Sequence, residues 1–341
     1  MEETMSWHDL RELEIEGKGW TDTASFYDRL PARAKAVVRE PVWDLSRHSA
    51  GLCARFVTDA PVIQARWTLR AESLAMPHMP ATGVSGLDLY ARTDQGPWRW
   101  LAVGVPQTFP TSQVQLVTGL PLGRREYLLY LPLYNGVSAV EIGLPPGSHL
   151  EKAPARPTGR RRPLVFYGTS ITQGGCASRP GMVHTALLGR WLDCPIINLG
   201  FSGNGRMEPE ITELMAELDA AVYVIDCLPN MAAQEVAERT VPLVQTLRRA
   251  RPAAPIVLVE DRSYSNAFFL DSARQGNLDR RAALRAAHSA LIAQGVGDLH
   301  YLAGEDLLGE DGEGTVDASH PTDLGFMRQA QAFLPLLQRL L

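Results

Sequence analysis

The 341-residue chain is poor in several things that would each assign it a class. It has four cysteines, Cys53, Cys176, Cys194 and Cys227, and none forms a C-x-x-C pair. That argues against a zinc ribbon and against a disulfide framework, and it fits buried free thiols in a reducing, cytoplasmic setting. No stretch approaches the roughly 18 uninterrupted apolar residues of a membrane helix. The first residues, MEETMSWHDLRELEIEG, are acidic and polar, without the basic-then-apolar order of a secretory signal. Basic charge is also short. Lys and Arg total 33 against 38 Asp and Glu, a net charge of -5, which disfavours a nucleic-acid partner. There is no repeat of fixed period and no low-complexity tract. Local motifs are missing too: no G-x-S-x-G elbow, no G-x-x-x-x-G-K-[ST] phosphate loop and no H-E-x-x-H zinc helix. The glycines at 200–205 are spaced G-x-x-G-x-G, which is not the dinucleotide fingerprint.

What remains is an ordinary globular composition. Hydrophobic residues at 45% and charged residues at 21% leave room for a real core, and the length suggests two domains. The two halves differ in rhythm. Residues 62–70 alternate apolar Ile63, Ala65, Trp67 and Leu69 with polar neighbours, the period-two pattern of a half-buried strand. Similar runs at 54–57, 87–92, 98–103, 113–117, 127–134 and 137–144 predict an antiparallel, jelly-roll-like β-sandwich. Asn135-Gly136 predicts a tight hairpin between the last two runs. Pro132 marks the run containing it as an edge or a bulge.

A Pro- and Arg-rich stretch from 145 to 163 reads as a linker, so residues 1–155 and 160–341 are expected to form separate domains. Beyond it, strands at 164–168, 196–199, 221–226, 256–260 and 299–302 alternate with helices at 180–192, 209–218, 232–250, 278–294 and 323–340. This alternation predicts an α/β fold: a five-stranded parallel sheet with helices on both faces, a three-layer α/β/α arrangement.

In such a sheet, ligands gather at the carboxyl ends of the strands. Those ends carry Ser170, a glycine-rich loop at 200–205, Asn230 and the pair Asp317 and His320. These are the parts of acyl transfer. A serine hydroxyl needs a base, an imidazole can serve as one, and a carboxylate holds the imidazole in the useful tautomer. The tetrahedral intermediate needs preorganised donors for its oxyanion. The amides of Ser170 and Gly203 and the side chain of Asn230 could supply them.

The blocks YGTSIT around Ser170, NLGFSGNG around Gly203, LPN ending at Asn230 and DASH at 317–320 resemble the four blocks of the SGNH, or GDSL-type, hydrolases. The order of the blocks is more specific than any one of them, and the resemblance covers about 163–341. It implies a flavodoxin-like catalytic domain with Ser170 as nucleophile, His320 as base and Asp317 as its orienting carboxylate. Gly203 and Asn230, with Ser170, would form the oxyanion hole. Upstream, GLDLY at 86–90, preceded by HMP at 78–80, resembles the Gly-x-Asp-Leu-Tyr domain of a mainly bacterial subgroup often associated with carbohydrate deacylation. Two departures stand out. Thr169 replaces the Asp of the GDS triplet, and Met231 follows Asn230 where the family has Asp.

The resemblance therefore implies a serine esterase that removes a small acyl group, most simply acetyl, from a carbohydrate or similar ester. No metal or organic cofactor is required, and no nucleic-acid or membrane partner is expected. The same acyl-enzyme could serve an acyltransferase, and a binding protein with an inactive site is a third reading. Further substrate contacts are expected from Arg206, from Arg262 and Tyr264 in a long connection at 261–276, and from His78. Asp88 and Asp226 read as structural, Cys176 as an inert thiol, and His184 and His288 as ordinary helical histidines. Whether the first domain binds sugar or walls the pocket is open at this level.

Overall fold

The computed structural model describes residues 4–93 and 96–341. Sheets one and two form a sandwich. The first orders its four antiparallel strands β1 (Ser6–Asp9), β9 (Val137–Leu144), β4 (Val62–Leu69) and β7 (Thr111–Thr118). The second runs β3 (Cys53–Thr58), β8 (Arg125–Tyr130), β5 (Leu87–Arg92) and β6 (Arg99–Gly104). Its free edge at β3 is shared by two short strands. β2 (Glu14–Glu16) pairs with Cys53 to Arg55, and β10 (Leu150–Lys152) pairs with Phe56 to Thr58. Alternation in β4 puts Ile63, Ala65, Trp67 and Leu69 inside, against Phe56, Leu89, Leu129 and Ile142.

The expected hairpin at Asn135-Gly136 does not form, because β8 and β9 lie in different sheets. Neither residue has a positive φ. Asn135 is instead buried, bonding the Ala71 main chain from both ends of its amide at 3.0 and 2.9 Å. Gly136 is small for another reason: a Cβ there would lie 2.2 Å from the Arg47 carbonyl oxygen. The pair marks a close crossing rather than a turn type. Pro132 lies beyond the end of β8, which is an interior strand.

The third sheet is parallel, ordered β12 (Ile196–Gly200), β11 (Leu164–Gly168), β13 (Val222–Asp226), β14 (Ile256–Val259) and β15 (Leu299–Leu302). Its order reverses between β11 and β13, so the loops leaving those two strands diverge and open a crevice at their carboxyl ends. Helices α5 (Pro209–Ala216), α6 (Ala233–Ala250) and α7 (Asp271–Ala293) join one apolar core, while α4 (His184–Trp191) and α8 (Asp323–Leu340) pack on the other. The predicted helix at 180–192 is interrupted at Val183, whose extended φ and ψ separate a short turn at Pro180–Met182 from α4. Helix α7 begins seven residues before its expected start, so the last six of the sixteen residues of the supposed long connection are helical.

Two short helices matter most for the site. A four-residue α3 (Ser170–Gln173) follows β11 directly, capped by the Thr169 hydroxyl, which accepts from the Ile171 amide at 3.2 Å. Thus the Thr that departs from the family triplet supplies a cap. Far upstream, α1 (Glu40–Ser46) lies in a segment whose Trp20, Leu30, Val42 and Trp43 pack with Ile197, Leu199, Ile211 and Met215 of the parallel-sheet layer. A last short helix, α2 (Ala81–Val84), supplies Val84 to an apolar seam with Ala50, Leu133, Ile171 and Phe326. The two halves therefore share buried surface on both sides of the crevice.

Candidate active site

Ser170 is the first residue of α3, at the carboxyl end of β11, and is only 6% exposed. Its Oγ lies 2.8 Å from His320 Nε2. His320 Nδ1 lies 2.7 Å from Asp317 Oδ2. An ionised carboxylate only accepts, so Nδ1 carries the proton and Nε2 presents its lone pair to the serine hydroxyl. Asp317 also accepts from the backbone amides of Ser319 and His320 at 3.1 and 2.8 Å. Partial burial pushes the Asp317 carboxyl up. The three bonds and the facing imidazole outweigh that and hold it below its usual value. Ala318, between them, takes a left-handed φ of 76°, which folds the four residues DASH into this closed arrangement.

The glycine loop follows β12. Gly203 has a φ of +69°, and a Cβ built there would meet nothing within 4 Å, so the glycine serves the backbone turn in an open position. Its amide has no partner among the described residues. Gly200 is glycine for a different reason, since its Cβ would lie 2.1 Å from the Gln173 nitrogen. Asn230 ends a short turn, and its Oδ1 accepts from the Gly205 amide at 3.2 Å. A backbone donor fixes the amide that way round, which leaves the Asn230 NH2 group without a protein partner among the described residues. Ser170, Gly203, Asn230, Asp317 and His320 are therefore brought to one crevice, and both free donors belong to the loops around the serine.

The other candidates separate. His78 reaches across from the sandwich half, its ring edge-to-face with His320 at 6.0 Å between centroids. Arg206 donates to the Gly203 carbonyl at 3.3 Å and so supports the glycine loop. Tyr264 is half-buried, with Arg280 donating to its hydroxyl at 3.1 Å, and the neighbouring Ser265 amide bonds the Ala318 carbonyl at 3.0 Å. Arg262 is no substrate contact. It is 1% exposed and pairs with Asp226 through two bonds of 2.6 and 2.5 Å, with Gln329 taking further donors. Burial works against its charge, and Asp226 more than offsets that cost. The Arg was placed at the rim by its position after β14, but its buried partner turns it inward. Asp226 is accordingly structural. The Cys176 thiol is pushed up to about 12 by burial, so it is not a nucleophile at neutral pH.

Asp88, the acid of the GLDLY motif, joins the halves instead of reaching the crevice. Fully buried, it accepts from Arg179, the Gly181 amide and Trp100 Nε1 at 2.8, 2.8 and 2.9 Å. Arg179 also donates to Tyr90 of the same motif at 2.5 Å. The motif therefore clamps the loop that runs from Ser170 to α4. Sequence reasoning missed three further groups. Tyr134 donates to the Ser170 carbonyl at 3.3 Å. Arg29, fully buried, donates to the Asn198 and Gly200 carbonyls at 3.0 and 2.8 Å. Gln173 bonds the residue before Gly203. No motif flags the first two, whereas Gln173 sits three residues after the serine in the block already singled out.

Residues 161–338 match the GDSL-like Lipase/Acylhydrolase family, and residues 5–150 match the N-terminus of SGNH-hydrolase-type esterases known by the GxDLY motif. Among curated proteins, none matches the sequence. Among solved structures, a protein from Bacteroides ovatus described as a GDSL-like lipase is similar over 99% of this chain and 98% of its own, with 34% identity and a TM-score of 0.92. A salicylyl-acyltransferase from a tetracycline biosynthetic pathway shares the fold over 98% of this chain and 97% of its own, at 19% identity and a TM-score of 0.77. A family two carbohydrate esterase from Clostridium thermocellum, solved with cellohexaose, shares it over 85% and 92%, at 15% identity and a TM-score of 0.59. With its ordered blocks, its α/β/α layer and its sandwich half, the chain belongs to the GDSL-like lipase/acylhydrolase family, as a carboxylic-ester hydrolase of the type that carries a GxDLY N-terminus.

Proposed function

We propose that the protein removes small acyl groups, acetyl first among them, from carbohydrate esters through a serine acyl-enzyme. The observation that carries this is the unbroken chain Ser170 Oγ to His320 Nε2 and His320 Nδ1 to Asp317, beside two unengaged amide donors. Ser170 Oγ attacks the ester carbonyl as His320 takes its proton. The carbonyl oxygen, now negative, is held by the amides of Ser170 and Gly203 and by Asn230. His320 then gives the proton to the leaving alcohol as the C–O bond breaks. Water enters, His320 takes a proton from it, and its attack on the acyl carbon releases the acid and restores Ser170.

Hydrolysis is favoured over transfer to another alcohol by exposure. The side chains of His320 and Asp317 are 26% and 43% exposed, so water reaches the base. A transferase must keep water from the same acyl-enzyme. Sugar as the alcohol draws support from what the carbohydrate-esterase neighbours act on, and His78 offers a ring beside His320 for a pyranose face. The chain's mild negative charge suits a neutral sugar ester. The test is a screen of acetylated glycans for released acetate, with Ser170→Ala as the control and free alcohols added as competing acceptors. Acetate release that disappears in Ser170→Ala supports the proposal. New ester in place of acetate, or release unchanged in Ser170→Ala, contradicts it.

A further inference from the structure

Gln173 closes the nucleophile helix, is completely buried, and uses both ends of its amide. Its Oε1 accepts from the Ser202 amide at 3.0 Å, one residue before Gly203. Its Nε2 donates to the Leu133 carbonyl and lies 3.1 Å from His48 Nδ1, both in the sandwich half. Backbone groups at each end fix the amide's orientation. The second Nε2 hydrogen then requires a lone pair on His48 Nδ1, so His48 is neutral with its proton on Nε2. Burial draws His48 down to about 4, with Arg29 and Arg70 adding to the shift, in keeping with that form.

The same upstream segment grips the start of the glycine loop. Arg29 donates to the Gly200 and Asn198 carbonyls and to the His48 and Leu45 carbonyls, and among the described residues it has no carboxylate partner. A buried guanidinium spent on four carbonyls is a brace rather than an ion pair. Acyl transfer uses none of these groups directly. Their common target is the position of the backbone between Gly200 and Gly203. An oxyanion donor must sit within a few tenths of an ångström of its place, and displacement of about 1 Å can cost on the order of 10²-fold in rate.

We propose that Gln173 is a positioning residue that sets the Gly203 amide for the tetrahedral intermediate, and that through it the N-terminal half holds the oxyanion hole in register with Ser170. This rests on the roles proposed above for Ser170 and Gly203. Removing the amide leaves the Ser202 N–H, the Leu133 carbonyl and His48 without a shared partner. The loop then relaxes while the nucleophile and base remain.

Gln173→Met keeps length and volume and removes every bond. Gln173→Glu keeps an acceptor for Ser202 and removes the donors, and it stands in should the Met variant not fold. Thr82→Val is the control for cross-domain contact alone, because Thr82 bonds the Ser178 carbonyl at 2.6 Å away from the loop. Two readouts are used: kcat and KM on p-nitrophenyl acetate, and hydrogen exchange of the peptide over 200–206. Gln173→Met should lower kcat about 10- to 100-fold with KM within about twofold, and speed exchange over 200–206. Gln173→Glu should fall between it and wild type, and Thr82→Val should match wild type in both. Unchanged kcat and exchange in Gln173→Met would overturn the proposal, as would equal losses in Thr82→Val. If wild type and Ser170→Ala hydrolyse the ester equally, the serine mechanism fails. The exchange readout then still decides whether Gln173 holds the loop.

Discussion

The two sides of the crevice are built differently. On the nucleophile side, Ser170 is 6% exposed, and its helix and the adjoining glycine loop are tied by buried bonds from Gln173, Arg29 and Tyr134. On the base side, Asp317 and His320 lie on a half-exposed loop between β15 and α8, held chiefly by bonds among their own four residues. Electrostatic preorganisation explains the contrast. In the proposed mechanism the donors and the attacking oxygen must not move as charge develops, which two structural halves converging on them would ensure. In the same proposal the base meets a hydroxyl, then a leaving alcohol, then water, and a loop open to solvent would allow that.

The largest effect should come from breaking the point where the two sides meet. Ser170→Ala or His320→Ala should cut kcat/KM by at least about 10⁴-fold without loss of fold, checked by ester hydrolysis alongside thermal melting. Next is the rigid side alone. Asn230→Ala should lower kcat about 10²- to 10³-fold with little change in KM, since its donor is used once the oxyanion forms. The open side should be more forgiving: Asp317→Asn should lower kcat about 10²-fold, the lower end for a group that orients a general base, because solvent partly replaces it. The carboxyl of Asp317 titrates below its usual 3.8 in the fold. Its support is therefore complete above that value and lost as pH falls through the folded value. Between about pH 5 and 2, wild-type stability should drop more steeply than that of Asp317→Asn, as read by urea titration at each pH.

One stability change sharpens the comparison without touching reacting atoms. Arg262→Met strands Asp226 under the nucleophile side and should cost about 3–5 kcal/mol of unfolding free energy. If Arg262 had been a rim residue, the same change would alter KM and leave stability near wild type.

How far the sequence revealed this follows the same division. The parallel sheet was legible because each of its strands is a short apolar run followed by turn residues, and three of the site's four blocks fall at those ends. Asp317 and His320 were legible because three-residue spacing alone lets one side chain bond the other. The brace was not. Arg29 lies 171 residues from the Gly200 carbonyl it supports, and His48 lies 125 from Gln173. Nothing local marks either residue, because their partners are backbone atoms or a distant amide. Asn135-Gly136 misled for a related reason: its composition fits a hairpin, but a tertiary crossing against Arg47 set the conformation. Arg262 misled because position after a strand does not reveal that Asp226, 36 residues earlier, draws the side chain inward.

The most direct test of the account is intact-protein and peptide mass spectrometry after treatment with a fluorophosphonate. One adduct per chain is expected, on Ser170, formed quickly by wild type, slowly by His320→Ala and not at all by Ser170→Ala. Labelling at another residue, or wild-type rates of labelling in His320→Ala, would contradict it.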